Sequence, residues 1–396
     1  MATQPETRFI ERERIEAHLQ ATIGWLVRAQ DVTRCGGVSA GYTLGKGWSP
    51  AYPETTGYII PTFMAFARVS GDGAYRGRAL QMADWLLGLQ QGNGAFPGGV
   101  VSGSNEPSVF NTGQILFGLL RAWQETGDST YLNAAARGGD WLVSVQDDDG
   151  SWRRHDFLGH AHAYNSRTAW ALALLAAESG NARFAAAAAR NLEWVASLAD
   201  PDGFFRRAEF ETTDGWRPRL RSGMRAVASK NWPSFYCRAS LHTIAYTLQG
   251  LFETAWELGI SDIDSRVLAS GRQAAAVLAR DLRGDRLAGF YGPTWKRATR
   301  SLCLTGLAQM GIVWWRMADK GSLDCSADSA RAVHLLVNKY RINHARDEIR
   351  GAVPGSSPIW GQYLPFRYPN WAAKFTADLL MLHLFGHTRP EDVRAW

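Results

Sequence analysis

Trp141-Leu142-Val143-Ser144-Val145-Gln146 runs straight into Asp147-Asp148-Asp149-Gly150-Ser151-Trp152: a Trp-bearing helical stretch that ends in Gln and then turns at a Gly followed by an aromatic. The same order occurs at Trp85 to Gln90 with Gly94 and Phe96, and at Trp25 to Gln30 with Cys35-Gly36-Gly37. Trp194 to Ala199 runs into Asp200-Pro201-Asp202-Gly203-Phe204-Phe205. Gln30, Gln90, Gln146 and Ala199 are spaced by 60, 56 and 53 residues. A period of tens of residues marks stacked supersecondary units, each too small to bury its apolar face alone. Two weaker copies follow, near Ala279-Arg280-Asp281 with Gly289-Phe290-Tyr291 and near Lys339-Tyr340 with Gly351, which makes six in all.

Each unit holds two helix-like stretches. The first is apolar and rich in small residues, as in Thr112 to Trp123, Thr168 to Glu178, His242 to Leu258, Leu302 to Met317 and Ala372 to Leu384. The second ends in the Trp-to-Gln order. Ser70-Gly71-Asp72-Gly73, Thr126-Gly127-Asp128 and Ser179-Gly180-Asn181 stop the first and start the second. Alternating polar and apolar runs are scarce, so no sheet of any size is expected. The simplest closed arrangement of six helical hairpins is an all-α, (α/α)6 toroid with an inner and an outer helix ring. The expected organisation is one domain over residues 1–396, with an inserted loop at about residues 206–234 that is rich in Arg, Gly and Pro.

Gln146, Gly150 and Trp152, and again Gln90, Gly94 and Phe96, match the QW repeat of squalene–hopene and related triterpene cyclases. The chain thereby resembles the toroid superfamily of terpenoid cyclases, protein prenyltransferase β subunits and carbohydrate-active (α/α)6 enzymes. In texture it is similar to the VpsJ-like exopolysaccharide-biosynthesis proteins. On physical grounds the repeated Gln caps an exposed helix end and the aromatic covers the next turn. The signature therefore specifies fold rather than reaction.

The chain has 396 residues, 46% hydrophobic and 20% charged, which suits a globular protein with a large core. The 17 Trp exceed what the repeat consumes, and the remainder can pave a groove. The net charge of +6 favours anionic ligands, but it is spread along the chain without a dense Lys/Arg tract, which argues against nucleic acid as a partner. Four Cys (35, 237, 303 and 325) form no C-x-x-C pair, so neither a disulfide framework nor a metal site is expected. The polar stretch Met1 to Arg14 lacks an apolar export core, and no apolar run reaches membrane-spanning length, so a cytoplasmic location is expected.

In a toroid the starts of the inner helices gather at one mouth, where free N–H groups and helix dipoles favour anions. The richest start is His160-Ala161-His162-Ala163-Tyr164-Asn165-Ser166-Arg167. His160 and His162 suit acid/base work, substrate hydrogen bonding or, less readily, metal ligation, because no third ligand stands out. In Ser240-Leu241-His242-Thr243-Ile244-Ala245-Tyr246, His242 and Tyr246 share one helix face. That run resembles the zinc-binding inner helix of protein prenyltransferase β subunits. The family's upstream Asp-x-Cys pair is missing, so zinc is not carried over and no metal or cofactor is expected. Other starts supply Tyr52 and Glu54, Asn111 and Gln114, Arg297 to Arg300, and Trp371 with Lys374.

Terpene cyclases of the protonating type need Asp-x-Asp-Asp; Asp147-Asp148-Asp149 does not fit it, and no Asp-Asp-x-x-Asp occurs. A glycosidase needs two carboxylates. Glu54 is one candidate, with Asp156 or Asp214 as its partner. The His, Tyr, Asn and Arg of the mouth resemble the sets used by (α/α)6 polysaccharide lyases and uronyl epimerases. There a cation or amide neutralises the uronate and a Tyr or His moves the proton. The sequence thus points to an enzyme acting on an acidic or exopolysaccharide-type glycan, by proton abstraction or by hydrolysis. His162, His242, Tyr164, Tyr246 and Glu54 are the catalytic candidates. Asn165 and Arg167 are expected on the anionic group, with His160, Tyr52, Asn111, Gln114, Arg300, Trp371 and Lys374 as further substrate contacts. Two other readings stay open: a terpenoid or prenyl enzyme with an apolar central cavity, and a non-catalytic glycan-binding or polysaccharide-assembly protein.

Overall fold

Helices begin and end where the sequence supplies caps. Gly71, Gly127 and Gly180 stop three helices in the left-handed conformation (φ 73°, 70° and 67°), and the next residues, Asp72, Asp128 and Asn181, accept a backbone N–H to start the following ones. The structure is a computed structural model and describes residues 5–101, 105–209, 238–260 and 266–388. Most of the expected inserted loop, including Arg217, Arg219, Arg221, Arg225 and Asp214, lies outside the described residues.

Twelve α-helices of the described residues alternate between two rings. The outer ring holds α1 (Pro5–Asp31), α3 (Gly73–Leu87), α5 (Ser129–Ser144), α7 (Ala182–Ser197), α9 (Arg266–Arg283) and α11 (Ser326–Val337). The inner ring holds α2 (Pro53–Ser70), α4 (Val109–Thr126), α6 (Ser166–Ser179), α8 (Leu241–Glu257), α10 (Leu304–Asp319) and α12 (Asn370–Phe385). Burial separates the two sets. Every residue of α8 from Leu241 to Ala255 is buried, whereas α7 buries a single stripe of Phe184, Ala187, Ala188, Asn191, Leu192 and Val195. Each inner helix packs on the next, and α12 packs back on α2, so the ring closes. Gly118 is needed for that approach: a Cβ there would sit 2.4 Å from the Gly57 carbonyl oxygen of α2. Five hairpins are sequential in the chain. The sixth pairs α12 with α1, so the polypeptide enters on an outer helix and its last inner helix completes the first unit. The architecture is the expected (α/α)6 toroid.

The repeated Gln acts as a staple between neighbouring outer helices. Gln146 Nε2 donates to the Gly150 carbonyl (3.0 Å) and to the Ala187 carbonyl in α7 (2.9 Å). Gln90 does the same to Gly94 (3.0 Å) and Ala134 (2.8 Å), and Gln30 to Gly36 (3.1 Å) and Arg78 (3.2 Å). Their Oε1 atoms accept from Arg190, Arg137 and Arg78 of the next unit. In the fifth unit Asp281 stands in the Gln position and accepts from the Tyr291 hydroxyl (3.1 Å).

Short strands tie down the loops that precede the inner helices. Gly41–Thr43 pairs with Gly47–Trp48 and Arg367–Pro369, Ala239–Ser240 with Phe290–Gly292 and that with Lys296–Arg297, and Leu302–Cys303 with Ser356–Ser357. Among the described residues, no helix is long and apolar enough to cross a membrane.

Candidate active site

The inner helices begin around a cavity of about 790 Å³. Tyr52 and Glu54 reach it from the start of α2, Asn111 from α4, Tyr164 from the turn before α6, His242 and Tyr246 from α8, and Trp371 from α12. Five separate chain segments thus bring seven of the expected residues to one cavity.

Glu54 lies in the first turn of α2, where the helix dipole favours its charged form. Burial wins. The carboxyl is 7% exposed and is pushed up to about 7, although the Tyr52 hydroxyl donates to its Oε2 and the charge of Arg167 pulls the other way. It therefore exchanges a proton near neutral pH.

A second carboxylate, Asp156, lines the same cavity from the loop before α6. Its Oδ2 faces His162 Nδ1 at 3.0 Å and accepts the Asn165 amide at 2.6 Å. The His162 ring is stacked on Tyr164 (centroids 4.8 Å, 18° between planes), which fixes the imidazole and with it the carboxylate. Burial raises the Tyr164 hydroxyl well above its ordinary value, and the charges of Asp156 and Glu54 add to the effect. One phenol thus senses both carboxylates.

On the α8 side, His242 Nδ1 lies 2.5 Å from Gln309 Oε1, an arrangement that assigns the proton to Nδ1 and leaves Nε2 as an acceptor. Burial drives the imidazole down to about 3, opposed by the Gln309 contact and reinforced by Arg167, so it is neutral at neutral pH. Its ring centroid is 4.2 Å from that of Tyr246, whose hydroxyl meets Tyr58 at 3.5 Å.

Beneath this floor lies Arg167, fully buried and outside the cavity lining. Nε donates to Gln114 Oε1 (2.9 Å) and Nη1 to Gln249 Oε1 (2.6 Å). The guanidinium carbon stands 4.9 Å from the Tyr246 ring centroid and 5.1 to 5.7 Å from those of Phe117, Trp170 and Phe375. Lys374 is also buried, with Nζ 2.6 Å from Asp378 Oδ2, and burial lowers it to about 8.

The structure thus divides the expected residues. Tyr52, Glu54, Asn111, Tyr164, His242, Tyr246 and Trp371 line the cavity, with the Asn111 amide donating to the Pro97 carbonyl at 2.9 Å. His162, Asn165, Gln114, Arg167 and Lys374 stand behind the lining, on partners within the protein. His160 is exposed and outside the lining, and Arg300 lines a different groove. Sequence reasoning missed Glu106, Tyr363 and Arg367 on the lining, because Glu106 and Tyr363 sit on irregular loops and Arg367 on a three-residue strand, none with a period to place it. Asp156 had a signal, since it lies close in sequence to the His- and Asn-rich segment that holds it. Among the described residues, no three His, Cys, Asp or Glu side chains stand together as a metal site.

The ring, its closure and the pit at the inner-helix starts define an (α/α)6 toroid, and solved structures share it over their whole length. The chain is similar to an unsaturated glucuronyl hydrolase specific for heparin (14% identity, TM-score 0.72), covering 96% of this chain and 99% of that one. It is similar to the cellobiose 2-epimerase from Bacillus thermoamylovorans B4167 (10% identity, TM-score 0.69; 94% and 99% covered). It is also similar to the unsaturated glucuronyl hydrolase of Bacillus sp. GL1, responsible for the degradation of glycosaminoglycan (12% identity, TM-score 0.68; 94% and 97% covered). No family model and no curated protein sequence matches the chain. At these identities the likeness is one of fold.

Proposed function

We propose that the chain is a carbohydrate-active enzyme that cleaves a glycosidic bond in an acidic, exopolysaccharide-type oligosaccharide, with Glu54 as proton donor and Asp156 as the partner carboxylate. The observation that carries this reading is the pair of carboxylates in contrasting surroundings on one aromatic-lined cavity. Glu54 is buried and protonated for much of the time near pH 7, as a general acid must be. Asp156 is oriented by His162 and Asn165 through Oδ2, which leaves Oδ1 for a water or a sugar carbon. The cavity is of a size that suits a short oligosaccharide. Tyr52, Phe110 and Trp371 offer ring faces to sugars, and Arg367 supplies a cation for a uronate. Glycan-processing names among the structural neighbours agree with this, as does the net positive charge.

The proton-abstraction branch of the sequence reading named His162, His242, Tyr164 and Tyr246: His242, held at about 3, is a weak base for a sugar α-proton, His162 is turned to Asp156 behind the lining, and burial raises both tyrosine hydroxyls. The terpenoid reading calls for a dry apolar cavity, whereas three carboxylates (Glu54, Glu106 and Asp156) line this one.

The test is turnover by Glu54→Gln and Asp156→Asn against a panel of heparin-derived and polyuronate oligosaccharides, saturated and unsaturated, with new reducing ends as readout. The wild-type chain should cleave at least one, and each variant should lose about 10²- to 10⁴-fold in kcat while keeping the wild-type fold by circular dichroism. Full turnover in both variants overturns the assignment, as does an activity that produces epimers without cleavage and depends on His242.

A further inference from the structure

Beside the cavity runs a second groove, of about 880 Å³, whose walls carry Arg286, Lys296, Arg297 and Arg300 against a single acid, Asp285. Asp285 is engaged by Arg331 at 2.9 Å, and Arg286 stands 4.0 Å from Asp281. Lys296, Arg297 and Arg300 are exposed, and among the described residues none of them makes an ion pair or a side-chain hydrogen bond. Three like charges on five consecutive residues repel one another, and a polyanion would relieve that.

The groove is joined to the cavity by two pieces of backbone. Lys296 and Arg297 pair with Gly292 and Tyr291, and the Phe290–Gly292 strand pairs in turn with Ala239–Ser240. Ser240 lines the cavity and caps α8. On the other side, Gln362 lines the groove while its neighbours Tyr363 and Leu364 line the cavity. Two residues before Gln362 on the same loop is Trp360, 67% exposed. A Trp left in water offers its ring face to a partner, and sugar rings stack on such faces.

From this juxtaposition of unpaired cations, an exposed indole and the cavity rim, we propose that the groove is a subsite for an anionic polysaccharide. Its uronate or sulfate groups sit on Lys296, Arg297 and Arg300 while one end of the chain enters the cavity. This deepens the proposed function and rests on it for the cavity end alone. It assigns Arg300 to the length of substrate outside the cavity. The enzyme would thus prefer long acidic chains over short ones, and the preference would fade with salt.

Calorimetric binding to the full chain tests this, with long heparin oligosaccharides, heparin disaccharides and a single-stranded oligonucleotide as probes. The triple variant Lys296→Glu/Arg297→Glu/Arg300→Glu should bind long heparin chains at least about tenfold more weakly. Its dependence of log affinity on log salt should be shallower by about 2, the counterion release of three lost cations. Disaccharide binding and the melting temperature should not change. Trp360→Ala should weaken the long glycan and leave the oligonucleotide unaffected. Wild-type affinity of the triple variant for long heparin overturns the proposal. So does an oligonucleotide that binds as tightly as the glycan together with a glycan that Trp360→Ala fails to weaken, since the groove would then be a general polyanion surface. Glu54→Gln serves as the separating control: it should keep long-chain binding intact, whereas failure of the catalytic assignment shows as retained turnover in that same variant.

Discussion

Glu54 couples the pH behaviour of the site to that of the fold. Its carboxyl is held at about 7 against an ordinary 4.5, so between those values the folded chain keeps a proton that the unfolded chain has released. The native state's advantage from this group is complete below pH 4.5 and is lost as pH rises through about 7, a change of about 3 kcal/mol. Glu54→Gln removes the titration while keeping the shape. The melting temperature of the wild type should therefore fall more between about pH 5 and about pH 8 than that of the variant, and equal slopes would remove burial as the cause of the shift. His242 acts in the opposite sense: held at about 3 against 6.5, its contribution is present above pH 6.5 and is lost as pH falls toward about 3. It is common to both proteins and cancels in the comparison. At this scale the sequence was legible where a polar or aromatic residue opened an apolar helix, as with Glu54, His242 and Trp371. It was less so for His162 and Asn165, which read as chemistry in their own right. Their distances of six and nine residues from Asp156 follow no helical or strand period, and the loop that brings them together is irregular.

The element that made the fold legible is the Gln-x-x-x-Gly turn, and its glycine can be tested apart from its conformation. Gly150 has φ 85°, and a Cβ there would lie 2.4 Å from the Arg190 carbonyl oxygen of α7. Gly127 has φ 70°, and a Cβ there would meet nothing within 4 Å. Both substitutions to Ala carry the left-handed backbone penalty of about 1 kcal/mol. Only Gly150→Ala also forces α5 and α7 apart, so it should cost at least about 3 kcal/mol in urea unfolding. Equal losses would mean that the turn tolerates the spread and that the staple is not what spaces the outer helices. The same physics explains why later copies of the repeat were fainter. Asp281 with Tyr291 stands in place of the Gln amide, and their bond ties the end of α9 to the strand after it rather than to the next outer helix. The short strands and the loops carrying Tyr363 and Arg367 left no mark in the sequence, because two- or three-residue pairings are set by the helices they connect rather than by a pattern of their own.

At the scale of the molecule, the ring depends on the first helix meeting the last. Trp25 of α1 is fully buried, and its indole nitrogen donates to the Glu348 carbonyl at 2.9 Å. Thr22 meets the Tyr340 hydroxyl at 2.9 Å, and a Cβ on Gly351 would stand 2.1 Å from the Ala21 carbonyl oxygen. Across the inner ring the Asn370 amide donates to Ser39 and Thr55, both at 2.7 Å. An open array of hairpins loses units from its ends, because each contacts only its neighbours. A closed ring has no end, and a break anywhere exposes two faces at once. We therefore expect the chain to unfold as one unit. Trp25→Ala should cost about 3 to 5 kcal/mol, and it should do so for every probe together: far-ultraviolet circular dichroism, tryptophan fluorescence, and hydrogen exchange in α8 and α10 on the far side of the ring. If α8 and α10 kept their wild-type exchange midpoint while the seam between α1 and α12 melted early, the toroid would be a row of separable hairpins. The cavity at its mouth would then outlast the closure of the ring.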